Sequence, residues 1–194
     1  MSEIRFQLEE NRGVRVLRLC SQDATNRLSR DLVLALTEEI RQVALEPRPL
    51  VITGNDRFFS AGADLKEIAA LTGPAAYEFS LMGQELMRVL DEFPAPMYAA
   101  ISGYCMGGGL DLALACHHRI GSPHSVFGHR GAALGLMTGW GGTQRLPRLV
   151  GKGRALEMLV AAEKVSASRA LQMGLIDAIA TDPVADVIRR VSDR

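Results

Sequence analysis

The 194-residue sequence predicts an α/β fold. Three observations carry that reading. Short strand patterns alternate with helical ones along the whole chain. Leu50-Val51-Ile52 is apolar throughout, as expected of a parallel strand covered on both faces. Met97–Ile101 is an apolar run that feeds a glycine cluster, and an alternating Leu/Ala segment follows. That order reads as buried strand, tight turn and packed helix. At this length one domain can bury a substantial core.

Taken in order, Ile4, Phe6 and Leu8 alternate with Arg5, Gln7 and Glu9, a half-buried strand. Asn11-Arg12-Gly13 turns the chain and Val14 to Leu19 returns as the second arm of a hairpin. Ser29 caps a helix with Leu32, Leu36, Ile40 and Val43 on its apolar face, bounded by Pro47 and Pro49. Asp64 caps another running through Leu71. Pro74 opens a helix with Phe79, Met82, Leu86, Val89 and Leu90 on one side, and Pro94 closes it. Ser125–Gly128 is a short strand, and Gly131 to Leu149 is a loop and short helix with a glycine-rich middle. Gly153 to Ala162 is helical, Ser166 caps a helix that Gly174 ends, and Leu175 to Ala180 is a strand. Asp182-Pro183 starts a last helix whose Val184, Val187, Ile188 and Val191 need a partner surface, which predicts self-association.

Composition excludes several functions. Lys plus Arg and Asp plus Glu stand at 22 each, so no net field draws in nucleic acid or an anionic membrane. Cys20, Cys105 and Cys116 have no CxxC spacing and read as free thiols in a reducing compartment. The N-terminus lacks the apolar core of a signal peptide and no run reaches membrane-spanning length, so a cytoplasmic protein is expected. His117 and His118, adjacent on a predicted helix, point apart, and His124 and His129 lack HxxxH or HExxH spacing, so no metal site is expected. Cys105 precedes the glycine cluster but has no histidine close in sequence, and a buried thiol is the better reading.

The chemistry concentrates at Gly107-Gly108-Gly109-Leu110-Asp111. The first amides of a helix starting near Gly108 have no internal partner and carry the positive end of its dipole. Glycines leave them open to a ligand, and Asp111 projects from the same face one turn in. A donor aimed at an anion beside a carboxylate suits proton transfer next to a polarised carbonyl. The other reading of this stretch is a turn that only permits close packing. The small residues of Ser60-Ala61-Gly62-Ala63 expose amides in the same way, or form an ordinary loop before a capped helix.

These segments together resemble the crotonase (enoyl-CoA hydratase/isomerase) superfamily. The likeness rests on five motifs in register. They are Phe59-Ser60-Ala61-Gly62-Ala63-Asp64-Leu65, Gly103–Asp111, Phe127-Gly128-His129, Gly141–Leu146 and Ala170–Asp177. The resemblance implies a ClpP/crotonase-type spiral of ββα units over 1–180. Residues 181–194 then form a short C-terminal helix, with the usual C-terminal helical region largely missing. It implies a homotrimer or hexamer acting on an acyl-CoA thioester, with no permanently bound cofactor. Carried over by position, the amides of Ala61 and Gly108 are the oxyanion donors and Asp111 is the acid–base residue. Ala24, Ala63, Asp64, Leu65, Tyr104, Gly107, His129, Gly131 and Trp140 are carried over as substrate-binding positions, Trp140 as a wall of the acyl pocket or a packed aromatic. Met82 and Met87 fit core packing better than the lining of that pocket.

The family's hydratases use two glutamates. Asp111 stands at the first of these positions and Gly131 at the second. With one carboxylate, isomerase or lyase chemistry competes with hydration. Relatives with glycine at the second position use a bound bicarbonate, and here His129 or Arg130 is placed to hold such an anion or donate a proton. The alternative from another class is an acyl-CoA-binding protein or partner subunit with little or no catalysis.

Overall fold

The computed structural model describes residues 6–193. The predicted strand residues Ile4 and Arg5 lie outside them. Strands β1 (Phe6–Asn11) and β2 (Val14–Leu19) form the expected antiparallel hairpin. Its two turn residues, Arg12 and Gly13, both have positive φ (50° and 76°), the twist that matches flanking strands. The short strand β3 (Arg27–Leu28) leads to α1 (Arg30–Val43), whose first turn is capped by the Ser29 hydroxyl. Leu32, Val33, Leu36, Ile40 and Val43 bury one face of this helix.

Three strand pairs then repeat one plan. In the first, β4 (Leu50–Thr53) is followed by β5 (Phe58–Ser60), then β6 (Gly62–Ala63), α2 (Leu65–Ala69) and α3 (Gly73–Asp91). In the second, β7 (Met97–Ile101) and β8 (Tyr104–Met106) precede α4 (Gly108–Ala115). In the third, β9 (His118–Gly121) and β10 (Val126–Gly128) precede a 3-10 turn at Gly131–Leu134 and α5 (Gly142–Val150). The first strand of each pair enters a six-stranded sheet and the second a four-stranded one. The chain continues through α6 (Lys152–Leu159), β11 (Val165–Ser166), α7 (Ala167–Gln172), β12 (Ala178–Ile179) and α8 (Pro183–Ser192). The sheet orders are β1-β2-β4-β7-β9-β12 and β11-β10-β8-β5, with β3 and β6 pairing as a separate ladder. The strands β4, β7 and β9 are parallel neighbours, and so are β5, β8 and β10. Each ββα unit therefore lays its strands beside those of the unit before it, the spiral that the resemblance implied.

Four local readings change. The helix at Asp64 ends at Ala69, not Leu71. Only Ala178 and Ile179 of the predicted strand 175–180 pair, with β9, while Leu175 and Ile176 are core residues of the approach to it. His118 opens β9, and His117 sits in the turn before it rather than on a helix. There His117 Nδ1 accepts the Met97 amide at 3.0 Å. Met87 is fully buried and Met82 packs against the main core, so both are packing residues.

The fourth change concerns α8. Its Val187 and Ile188 are buried, and Val184 and Val191 pack with them against Val14, Val16, Val51, Tyr98 and Ile120. The chain's own six-stranded sheet is thus the partner surface, and this face gives no argument for self-association. The Asp182 carboxylate caps the helix by accepting from the Ala185 amide at 3.0 Å. Val187→Ala removes two methyl groups from this interface and is expected to cost about 2 kcal/mol. Chemical denaturation measures it, and a loss indistinguishable from zero means that α8 does not hold this position.

Candidate active site

The first turn of α4 is built so that two amides stay uncommitted within the helix. Gly107 has φ 52° and ψ −123°, backbone that favours glycine. Its own amide donates to Gly128 O at 2.9 Å, which ties the turn to β10. The amides of Leu110 and Asp111 both donate back to Gly107 O, at 2.9 and 3.1 Å. Gly108 and Gly109 are the first helical residues, whose amides have no intrahelical acceptor. Neither glycine has room for a side chain. A Cβ on Gly109 would stand 2.6 Å from Ser60 Cβ, and one on Gly108 2.6 Å from Trp140 Cζ3 and 3.2 Å from the Ala63 nitrogen.

The Ala61 amide is not free beside that of Gly108. It donates to Thr25 O at 2.9 Å, so it is committed to the segment before β3. The Gly62 amide donates to the Ser60 hydroxyl at 3.1 Å and the Asp64 amide to Leu28 O at 3.3 Å. Successive peptide groups of a strand face opposite sides, so the Ala63 N–H, next to that of Asp64, faces away from β3 and toward α4. Gly62 lets the two backbones meet: it has φ 99°, and a Cβ there would fall 2.7 Å from Met106 O and 3.2 Å from the Gly108 nitrogen.

Asp111 is 1% exposed. Its Oδ2 accepts a short hydrogen bond from the Thr138 hydroxyl. Its Oδ1 lies 3.2 Å from His129 Nε2, an ion-pair distance without hydrogen-bond alignment. Both atoms are buried, and neither has a hydrogen-bond partner among the described residues. Gly142 opens α5 against this carboxylate, and a Cβ on it would collide with Asp111 Oδ1. The positive end of the α5 dipole is therefore beside Asp111. Neither Thr138 nor Gly142 stands out by sequence spacing as a contact of Asp111. The only hint was that both lie in the glycine-rich stretch after β10.

These groups open into a cavity of about 440 Å³. Of the predicted positions, Ala61, Ala63, Leu65, Gly107, Gly108, Asp111, His129, Gly131 and Trp140 line it. Three do not. Ala24 has φ 55° and its carbonyl accepts from Asn55 Nδ2 at 2.8 Å. Asp64 caps α2 through the Lys66 amide at 2.8 Å. Tyr104 is 41% exposed, with its ring 5.5 Å from that of Phe58 and 5.6 Å from Lys164 Nζ. At Gly131 a Cβ would stand 2.8 Å from Leu136 O, and Leu136 N–H donates to Gly131 O at 2.8 Å. The main chain itself closes this position. Among the described lining residues the ionisable groups are Asp111, His129 and Arg130, and no described cluster of three or more His, Cys, Asp or Glu side chains is placed to hold a metal.

Trp140 is both wall and packing. It is 3% exposed, donates from Nε1 to Phe79 O at 3.2 Å, and sits 5.2 Å from the Phe79 ring centre. Gly83 of α3 lies under the indole, where a Cβ would overlap Nε1. Gly83→Ala is expected to lower stability by about 1–3 kcal/mol through overpacking, although alanine favours a helix. A denaturation midpoint that stays or rises means the indole is not seated on α3.

Cys105 is fully buried, with Sγ 3.4 Å from Gly109 O. Burial, then the neighbouring Cys116 and Asp111, hold its thiol well above the ordinary range. Burial pushes Cys116 up to about 12, against a partial offset from Arg119. Neither is a nucleophile at neutral pH. Thiol titration of the native protein is expected to report Cys20 alone, and all three after unfolding. Because unfolding frees both buried thiols to ionise near 9.0, each contributes stability that is complete below that pH and is lost as pH rises through its raised folded-state value, about 12 for Cys116.

The chain belongs to the enoyl-CoA hydratase/isomerase family, whose model matches residues 9–192. Among curated relatives it is 37% identical over 175 residues to a crotonyl-CoA hydratase of Syntrophomonas wolfei, covering 89% of this chain and 67% of that protein. It is 45% identical over 146 residues to a probable enoyl-CoA hydratase of Bacillus subtilis, covering 74% and 55%. The chain thus spans between about half and two thirds of the length of these two relatives. Among solved structures, an enoyl-CoA hydratase from Bacillus anthracis superposes with a TM-score of 0.91 at 30% identity, covering 98% of this chain and 78% of that one. DspI of Pseudomonas aeruginosa gives 0.91 at 33%, covering 98% and 75%.

Proposed function

We propose that the protein acts on an acyl-CoA thioester and moves the double bond of a 3-enoyl chain to the 2-position. The observation that carries this reading is that Asp111, the one buried carboxylate among the described residues, lines the same cavity as Ala63 and Gly108. In this scheme the thioester oxygen takes both N–H donors. The Asp111 carboxylate removes a proton from C2, and the electron pair passes into a dienolate whose negative charge rests on the thioester oxygen. The dienolate then takes the same proton from Asp111 at C4, and the thioester is regenerated. Each amide donor is worth about a hundred- to thousand-fold in rate, because it is aimed where charge develops. Thr138 holds the carboxylate through its hydrogen bond, with His129 beside the other oxygen.

Hydration is the competing reaction, and the names of the relatives favour it. It requires a group to activate water as well as one to return a proton. At position 131 the main chain leaves no room for a second carboxylate, so His129 is the group beside Asp111 that would share the work. Small-anion assistance is the remaining route, and bicarbonate added without change in rate disposes of it. Location in the cytoplasm and assembly as a homotrimer or hexamer belong to this proposal. The family likeness supports assembly, and no helix among the described residues is long and apolar enough to cross a membrane.

Turnover of a 3-enoyl-CoA and a 2-enoyl-CoA by wild type and Asp111→Asn decides between the readings. Isomerisation that falls about a hundred- to ten-thousand-fold in the variant, with thioester affinity retained, is the expected result. Hydration without isomerisation reverses the assignment. Tight binding with turnover of neither substrate identifies a binding protein instead.

A further inference from the structure

Two spaces in the molecule share a wall. Ser80, Thr138, Gly139 and Trp140 line both the cavity around Asp111 and a larger groove of about 960 Å³. Trp140 is the only bulky side chain among them. Its ring is fixed on several sides: the hydrogen bond to Phe79 O, the Phe79 ring, Gly83 beneath and Gly108 at its edge. The preceding residue is also held, because Gly139 O accepts from Gln84 Nε2 at 2.8 Å and from the Ser80 hydroxyl at 3.2 Å. The wall is therefore pinned to α3.

The chemistry differs on its two sides. The cavity is lined by apolar groups that include Ile68, Leu71, Phe79, Leu136 and Met137. The groove carries Arg88, Arg119, Arg145 and Arg148, together with Asp91 and with Leu114 and Leu149. A hydrocarbon chain gains more from burial on the first side, where Arg130 is the one arginine among the described lining residues, than on the second, where four would be left partly desolvated beside it. We propose that the Trp140 indole is the stop that sets the longest acyl chain the cavity takes, and that it separates this cavity from the arginine-lined groove. The inference rests on the acyl-CoA reading above but not on which reaction follows.

Calorimetric titration of wild type, Trp140→Ala and Trp140→Phe with saturated straight-chain acyl-CoAs of increasing length tests it without requiring turnover. In wild type, affinity rises about fourfold per methylene, the equivalent of ~0.8 kcal/mol, until the chain meets the indole, and then stops rising. In Trp140→Ala the rise continues to longer chains, and Trp140→Phe shifts the break less in the same direction. If the alanine variant fails to fold, as near-UV circular dichroism would show, the phenylalanine variant decides. A break at the same length in a folded variant overturns the inference and leaves the thioester reading standing. A break that moves with residue 140, in a protein that turns over neither substrate, supports the inference and overturns the catalytic reading. Absence of binding at every length overturns both.

Discussion

The site depends on one steric constraint: β6 and the first turn of α4 approach so closely that no Cβ fits between them. Gly62 faces the Gly108 nitrogen, Gly108 faces the Ala63 nitrogen, and Gly109 lies on Ser60. Both elements are anchored from behind. Ala61 and Asp64 are bonded to the β3 segment, and Gly107 is bonded to Gly128 at the end of β10. The direction of the Ala63 and Gly108 N–H groups is therefore set by hydrogen bonds that their neighbours make. N–H groups held this way need no rearrangement to meet an acceptor in front of them.

The carboxylate obeys a related logic. Asp111 is carried on the same short helix as Gly108, so its distance from the Gly108 amide is set by α4 alone. Its surroundings come from elsewhere: His129 from the end of β10, Thr138 from the following loop, Gly142 from the start of α5. A buried carboxylate requires compensation for the water it has lost. Here the compensation is a hydroxyl donor, an imidazole at ion-pair distance and the end of a helix.

Local pattern made much of this legible. The sequence 97–115 codes its strand, turn and helix within one window, because an apolar run and three glycines are short-range signals. The hairpin, the caps at Ser29, Asp64, Ser166 and Asp182, and the helix of residues 73–91 are legible for the same reason. Long-range information is what the residues lack on their own. Ala61 and Ala63 look alike in Ser60-Ala61-Gly62-Ala63, and only the pairing with Thr25 and Leu28 separates the bound amide from the one facing α4. The apolar face of α8 was visible from its spacing, but periodicity does not say what covers a face. Thr138 meets Asp111 only because a loop folds back 27 residues later.

The glycine at 142 carries a consequence for how such a molecule can diversify. With Gly62, Gly108, Gly109 and Gly142 all barred from carrying side chains by their neighbours, the floor of the cavity is written in main-chain atoms that substitution can scarcely edit. Leu65, Leu134 and Met137 line the same cavity yet are more than half exposed. Variation in ligand preference is therefore cheapest at the rim, where a side chain can change without disturbing the frame beneath it.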